Sequence, residues 1–280
     1  MNKRLLLIDG HNLLFQMFFG MPSRIINNDG IAIQGVIGFI GALGKLVRLV
    51  SPTHAVVIFD SEGENNRCEL LPEYKANRPD YSRLPEEDNP FSQLPYVYRA
   101  LDLIGIPYLE AHECECDDII ASYARNADSK TEVFISSYDS DYFQLISDRI
   151  KCIRYKGESS VILDRDEIIK KYGVVPSLFA DFKALIGDSS DNISGVRGIG
   201  PKTAARLLAS YGDLNRILSD TSVIEDIKLR DKISAECERL YTNLKLIRLD
   251  GTAPLPFSED ELIYKASDFK TMDIIRRIGL

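Results

Sequence analysis

Three apolar runs close on acidic residues: LLLID at 5–9, AVVIFD at 55–60 and VFISSYDSD at 133–141. Runs of this kind read as strands buried on both faces. Between them, GVIGFIGALGKLVRLV at 35–50 and DDIIASYARNA at 117–127 repeat their apolar residues at intervals of three and four, the period of a helix packed on one side. Strand alternating with helix predicts an α/β fold, a central and mostly parallel sheet flanked by helices. Ligands of such sheets collect in the crevice beyond the carboxyl ends of the strands. Asp9, Asp60, Asp139 and Asp141 stand at those ends.

Residues 62–95 are rich in Pro, Asn and charge and read as a long loop or partly helical excursion, a length usually tied to function. After about residue 165 the strand signal fades. DEIIKKYG and PSLFADFKALIGD are short amphipathic helices, followed by the turn-rich GDSSDNISGVRGIGPK and by TAARLLASYG, a helix closed by Gly212. The expected organisation is an α/β domain over 1–165 carrying the excursion at 62–95, a helical subdomain over 166–250, and a C-terminal extension over 251–280 packed on the core.

Composition narrows the class. Of 280 residues, 45% are hydrophobic and 27% charged, as in soluble globular proteins. No apolar run approaches the roughly 18 residues of a membrane span, and the opening MNKRLLLIDG has a run of only four apolar residues before Asp9, too few for a signal peptide, so a cytoplasmic protein without membrane contact is expected. Five scattered cysteines do not suggest a disulfide framework. A net charge of −8 argues against nucleic acid until the acids are located.

They are not evenly spread. Asp9, Asp60, Glu115, Asp117, Asp118, Asp139, Asp141, Asp188 and Asp191 come from five segments, each at a strand end, a helix start or a Gly-rich turn. Taken singly, helix capping explains Glu115, Asp117 and Asp118, and turn geometry explains the others. Neither explains why segments that a parallel sheet brings together all carry acids. Gathered carboxylates repel, and a purely oxygen donor set selects hard ions such as Mg²⁺ or Mn²⁺. Two such ions about 3.5–4 Å apart suit in-line hydrolysis of a phosphodiester.

DGHNLLF, VVIFD, LPEYKANR, ECDDIIA, SSYDSDYFQLI and GDSSDNISGVRGIGPKTAARLL resemble, in order and spacing, the motifs of the 5′-nuclease family. That family includes the nuclease domain of bacterial DNA polymerase I, phage 5′-exonucleases and flap endonucleases. The resemblance implies a PIN-like 5′-nuclease fold with a helix-three-turn-helix DNA-binding subdomain, in a free-standing monomer. It implies a structure-specific flap endonuclease and 5′-3′ exonuclease in primer removal and repair. The expected partners are DNA with 5′ flaps, nicks or 5′ ends, and RNA primers paired to DNA.

By similarity, Asp60, Glu115 and Asp117 favour one metal, and Asp139, Asp188 and Asp191 the other. Asp141 lies between them, while Asp9 and Asp118 act through water. LPEYKANR is similar to the family's arch, which implies base stacking by Tyr74 and charge stabilisation at the scissile phosphate by Lys75 and Arg78, the catalytic partners of Asp9 and Asp60. GVRGIGPKTA is similar to the helix-three-turn-helix element, with Gly198, Gly200, Lys202 and Thr203 gripping duplex phosphates and a K⁺ ion.

Gln16 stands where family members often carry Arg, and it can bond a phosphate but not pair with its charge. His112, Cys114 and Cys116 lack the second ligand pair of a structural zinc site, and Cys116 fits a small-residue position. His11 is not needed as a base. Phe15, Met17, Phe18, Phe19 and Met21 read as core or as a wall of the DNA groove. Arg67 and Arg83 read as solvated loop residues, and Lys170, Lys171, Lys183, Arg197, Lys202 and Arg206 as basic residues on helices. Setting the nine acids aside turns −8 into +1, which removes the objection to DNA. Two rivals remain: a non-catalytic junction-binding protein, which the intact acids oppose, and a PIN-like ribonuclease, which would not need the GIGPKTA element.

Overall fold

The computed structural model describes residues 3–61, 67–112, 114–265 and 269–280. Its first half alternates β1 (Arg4–Asp9), α1 (Gly10–Gly20), α2 (Gln34–Val50), β2 (His54–Asp60), α3 (Arg67–Leu70), α4 (Leu94–Ile104), β3 (Tyr108–Ala111), α5 (Cys116–Asn126) and β4 (Glu132–Ser136). The edge strands β5 (Ile150–Arg154) and β6 (Val161–Leu163) complete a six-stranded sheet in the order β3-β2-β1-β4-β5-β6. All pairings are parallel except β5 with β6.

Strands β1 and β2 are buried because both of their faces are apolar. Leu6, Leu7, Ile8, Val56, Val57 and Ile58 have no exposed surface, and register pairs Leu7 with Val56 on one side and Ile135 on the other. One core lies under α1, α2 and α4, where Val36, Phe39, Ile40, Leu43 and Leu46 of α2 form a stripe at helical spacing. The other lies between the sheet and α5, and runs on into the helices of the second half. Burying these apolar side chains contributes about 1.5–3 kcal/mol each.

Strand order reverses at β1. The chain runs outward through β2 and β3, then returns to place β4 on the opposite side. The crevice between the carboxyl ends of β1 and β4 is therefore a topological switch point, where ligands of open α/β sheets bind.

The second half holds α6 (Arg165–Tyr172), α7 (Phe179–Ile186), a two-strand hairpin of β7 (Gly187–Asp188) and β8 (Ile193–Ser194), α8 (Pro201–Tyr211), α9 (Leu214–Ser219), α10 (Ile227–Ser234) and α11 (Cys237–Ile247). The last helix, α12 (Thr271–Arg277), buries Ile274 and Ile275 in the core beside α2 and α4. Among the described residues no helix is long and apolar enough to cross a membrane.

Two expectations change in detail. The third apolar run is a strand only through Ser136, after which Asp141 opens a 3₁₀ turn, Asp141–Leu145. The pattern also missed β3, β5 and β6, short strands with half-exposed positions that blur the alternation. The excursion expected over 62–95 begins in 62–66, outside the described residues. From Arg67 onward it consists of α3, tight turns and 3₁₀ segments at Tyr81–Arg83, Glu86–Asp88 and Pro90–Gln93.

Candidate metal centre

The carboxyl ends of the strands open into a cleft of about 1120 Å³ lined by Asp9, Asp60, Glu115, Asp117, Asp118 and Asp139, together with Tyr74, Lys75 and Arg78. Each acid is placed by local chemistry. Asp9 ends β1 and caps α1 by accepting from the Asn12 backbone N–H at 3.0 Å, and Ser137 Oγ donates to its other oxygen at 2.9 Å. Asp60 ends β2 and accepts from the Cys116 backbone N–H at 2.8 Å, tying β2 to the start of α5. Asp117 and Asp118 occupy the first turn of α5, where the helix dipole favours negative charge.

Asp141, Asp188 and Asp191 form the tightest group, with one carboxylate oxygen from each within 4.8 Å of the others. Their side chains are a tenth exposed or less. The expected partition set Asp139 beside Asp188 and Asp191, with Asp141 between the two ions; the described geometry brings Asp141 to Asp188 and Asp191. Asp139 instead accepts from the Asp141 backbone N–H at 2.8 Å, closing the turn. The donors of the triplet are all oxygens, and among the described residues no cysteine or histidine joins such a group, which suits a hard divalent ion. Cys116 is buried, with its thiol directed at the Ile58 carbonyl at 3.3 Å.

Burial raises the pKa of several of these groups. Asp9 is pushed up by burial and by the charge of Asp117. Asp117 rises to about 7 and Asp141 to about 8, burial acting first and the neighbouring charge of Asp139 second. Asp188 moves the other way, because Lys183 outweighs the effect of its burial. Such shifts mark a site built to hold positive charge.

Among the described residues, four cations lie against the acids. Lys183 of α7, expected as a solvated helix residue, is buried and bridges Asp141 and Asp188. Arg67, expected as a solvated loop residue, is 8% exposed and pairs with both Glu115 and Asp118. Sequence reasoning missed both. For Lys183 a signal existed: it follows Phe179 by four residues on a helix buried from Phe179 through Leu185, so its face pointed inward. Tyr142, also missed, is fully buried and donates its hydroxyl to Asp117.

Lys75 and Arg78 come from the excursion. Lys75 bonds Glu115, and Arg78 bonds Asp191 at 2.9 Å. Lys75 has a left-handed backbone, φ 57°, rare for a non-glycine residue. Its N–H donates to the Asp191 carbonyl at 3.1 Å, while Asn77 and Asn192 bond Ser189 O and Glu73 O, each at 2.8 Å. The excursion is thereby stitched to the turn carrying Asp188 and Asp191. Tyr74 departs from expectation. It is only 5% exposed, and its hydroxyl lies 3.4 Å from both Glu115 and Asp191, so it offers no open ring face to a base.

Gln16 lines the cleft but donates to the Tyr155 carbonyl at 2.6 Å. His11 packs edge-on against Phe59 and Phe91. On the helical side, Asn243 bonds Ala184 O and Ser194 O, and Arg239 bonds Gly195 O, fixing the hairpin to α11. Gly198 has φ +82°, and a Cβ there would meet the Lys232 ammonium. Gly200, Pro201 and Lys202 lead exposed into α8, with Thr203 half-buried behind them and no side chain capping the helix.

Comparison with known proteins gives the same picture. Residues 4–173 match the family described as 5′-3′ exonuclease, N-terminal resolvase-like domain, and residues 174–270 match 5′-3′ exonuclease, C-terminal SAM fold. The chain is 38% identical over 267 residues to DNA polymerase I of Rhizobium leguminosarum, covering 92% of this chain and 26% of that protein. It is 31% identical over 272 residues to the 5′-3′ exonuclease of Aquifex aeolicus, covering 96% of this chain and 90% of the relative. The chain thus spans about a third or less of the polymerase relatives it matches. The phage T5 5′-exonuclease with bound divalent (zinc) ions superposes with TM-score 0.74 at 23% identity, over 99% of this chain and 100% of that one. The catalytic core of Rad2 in complex with DNA substrate gives TM-score 0.61 at 16% identity, over 99% and 86%. The acid-lined cleft at the strand ends therefore lies in a chain that belongs to the 5′-3′ exonuclease family.

Proposed function

We propose that this cleft hydrolyses phosphodiester bonds near 5′ ends in branched or nicked DNA, as a divalent-metal-dependent flap endonuclease and 5′-3′ exonuclease in primer removal and repair. RNA primers paired to DNA fall within the same chemistry. The observation that carries this reading is the convergence of carboxylates from separate segments on one cleft, to which Arg78 ties the oxygen-only triplet Asp141, Asp188 and Asp191 through its bond to Asp191.

Asp141, Asp188 and Asp191 with Asp139 would hold one ion, and Asp60, Glu115 and Asp117 a second. Asp9 and Asp118 orient the surroundings through the bonds already described. Two Mg²⁺ or Mn²⁺ ions there would supply Lewis-acid stabilisation of the oxygens in an in-line displacement. The chain's own part is positional. Lys75 and Arg78 carry positive charge to the cleft, where they stabilise charge developing on the scissile phosphate. Residues 1–165 cut, and 166–250 hold the duplex through Gly198, Gly200, Lys202 and Thr203, an element that would also hold a K⁺ ion. Contacts of this kind set register without reading sequence.

The test is cleavage of a 5′-labelled flap in Mg²⁺, Mn²⁺ and EDTA, with junction binding followed in Ca²⁺. Cleavage near the junction only with Mg²⁺ or Mn²⁺ is expected, and Asp188→Asn should remove it while binding persists. Tight binding without cleavage in either metal, or preference for an unstructured RNA of equal length, would overturn the proposal.

A further inference from the structure

Tyr138 sits one residue before Asp139, in the cleft wall, and is 38% exposed. A large aromatic ring gains most from full burial, so its place beside a cluster of acids is not core packing. Yet it is firmly held. Its backbone N–H donates to Asn12 Oδ1 at 2.9 Å, and Arg154 Nη2 reaches its carbonyl at 3.5 Å. Its hydroxyl donates to the Tyr155 carbonyl at 2.8 Å, the same oxygen that Gln16 binds. The Arg154 guanidinium lies 5.8 Å from the centre of the ring and 5.0 Å from that of Phe143, which fixes the guanidinium in turn.

All three polar groups of Tyr138 are engaged, so what it presents to the cleft is ring surface. Other cleft aromatics are committed elsewhere. Phe15, Tyr81 and Phe91 pack on one another at 5.0–5.9 Å, and Tyr74 is buried under the acids.

We propose that Tyr138 is a stacking platform for the base of a nucleotide adjoining the scissile phosphate, with Arg154 as the residue that positions its ring. The inference rests on the nuclease reading of the same cleft. Because the ring is already ordered, stacking costs little further entropy. Because every base has a π-face, the platform tolerates all four. A base inside a duplex has neighbours on both faces, so the platform accepts only a nucleotide at a strand end or junction. It therefore contributes to reading shape rather than sequence.

The experiment compares the parent protein with Tyr138→Ala and Tyr138→Phe on flap substrates bearing one abasic nucleotide, placed in turn at each of the two positions on either side of the scissile phosphate. Tyr138→Ala should lower kcat/KM on the intact flap about tenfold, with Tyr138→Phe retaining most of the rate. One abasic position should slow the parent by a similar factor and leave Tyr138→Ala unaffected, a coupling that a merely structural role would not produce. In a parallel reading, 2-aminopurine at that position, bound in Ca²⁺, should be quenched by the parent and not by Tyr138→Ala. This reading needs no cleavage, so failure of the platform and failure of the nuclease reading are told apart. Equal abasic penalties in parent and Tyr138→Ala at every position, or no difference in 2-aminopurine quenching at any of them, would overturn the proposal.

Discussion

Replacing Arg67 by Met tests whether the acid cluster depends on its internal cations. The guanidinium serves two carboxylates, Glu115 and Asp118, each 7% exposed. Met fills much of the same volume, so the change removes charge rather than packing. Breaking a buried pair from one side typically costs about 3–5 kcal/mol, because the remaining charge is left in a poor solvent. Here the remaining groups keep some support. Asp118 still accepts from the Asp250 backbone N–H at 2.7 Å, and Glu115 still meets Lys75 and Tyr74. The loss should therefore fall near the lower end, about 3 kcal/mol, a drop in Tm of roughly 6–12 °C.

The assay is urea unfolding in EDTA. Two controls separate charge from shape. An abandoned carboxylate can escape by taking up a proton, so the penalty should shrink between pH 8 and pH 5. Adding Asp118→Asn to Arg67→Met should recover part of the loss, because a neutral amide replaces one stranded charge. A cost below about 1 kcal/mol, or one unchanged by both pH and the second substitution, would refute the idea that Arg67 is a structural counter-charge.

Two further outcomes are expected. Gly195→Ala should abolish cleavage without touching a carboxylate: a Cβ there would lie 2.2–2.5 Å from the backbone of Ile186 and Gly187, forcing the hairpin that carries Asp188 away from α7. Loss of about 1–3 kcal/mol in unfolding together with lost flap cleavage checks this, and a fully active variant would contradict it. The metal-free protein should lose stability as pH rises. Asp117 and Asp141, pushed up to about 7 and about 8, hold protons that the unfolded chain, near 3.8, has released, so stability falls between about pH 4 and pH 8. Excess Mg²⁺ should remove that fall, and a flat Tm profile over this range in EDTA would count against the buried acid cluster.

What could be read from the sequence follows from how each feature is encoded. Strands β1 and β2 are legible because both of their faces are buried, leaving unbroken apolar runs; β6, with Val161 and Ile162 exposed, leaves none. The nine acids are legible because they lie in five short motifs, but their grouping is a property of the assembled backbone. The 3₁₀ turn at Asp141 and the β7–β8 hairpin bring Asp141 to Asp188 and Asp191. The cations were the least legible. One basic residue in a short amphipathic segment looks the same whether it faces water or a carboxylate, and Arg67 and Lys183 read as solvated for that reason. A physical constraint was nonetheless available. A fold that buries five of these acids, Asp9, Glu115, Asp118, Asp141 and Asp191, must carry compensating charge inside itself, whatever else binds. Arg67, from α3 within the excursion, and Lys183, from α7, supply it with buried side chains, while Lys75 and Arg78 supply it from further along the excursion, where the Arg78 side chain is still 51% exposed. The first pair therefore stabilises the fold, and the second is the pair that, on the proposed function, would meet the scissile phosphate.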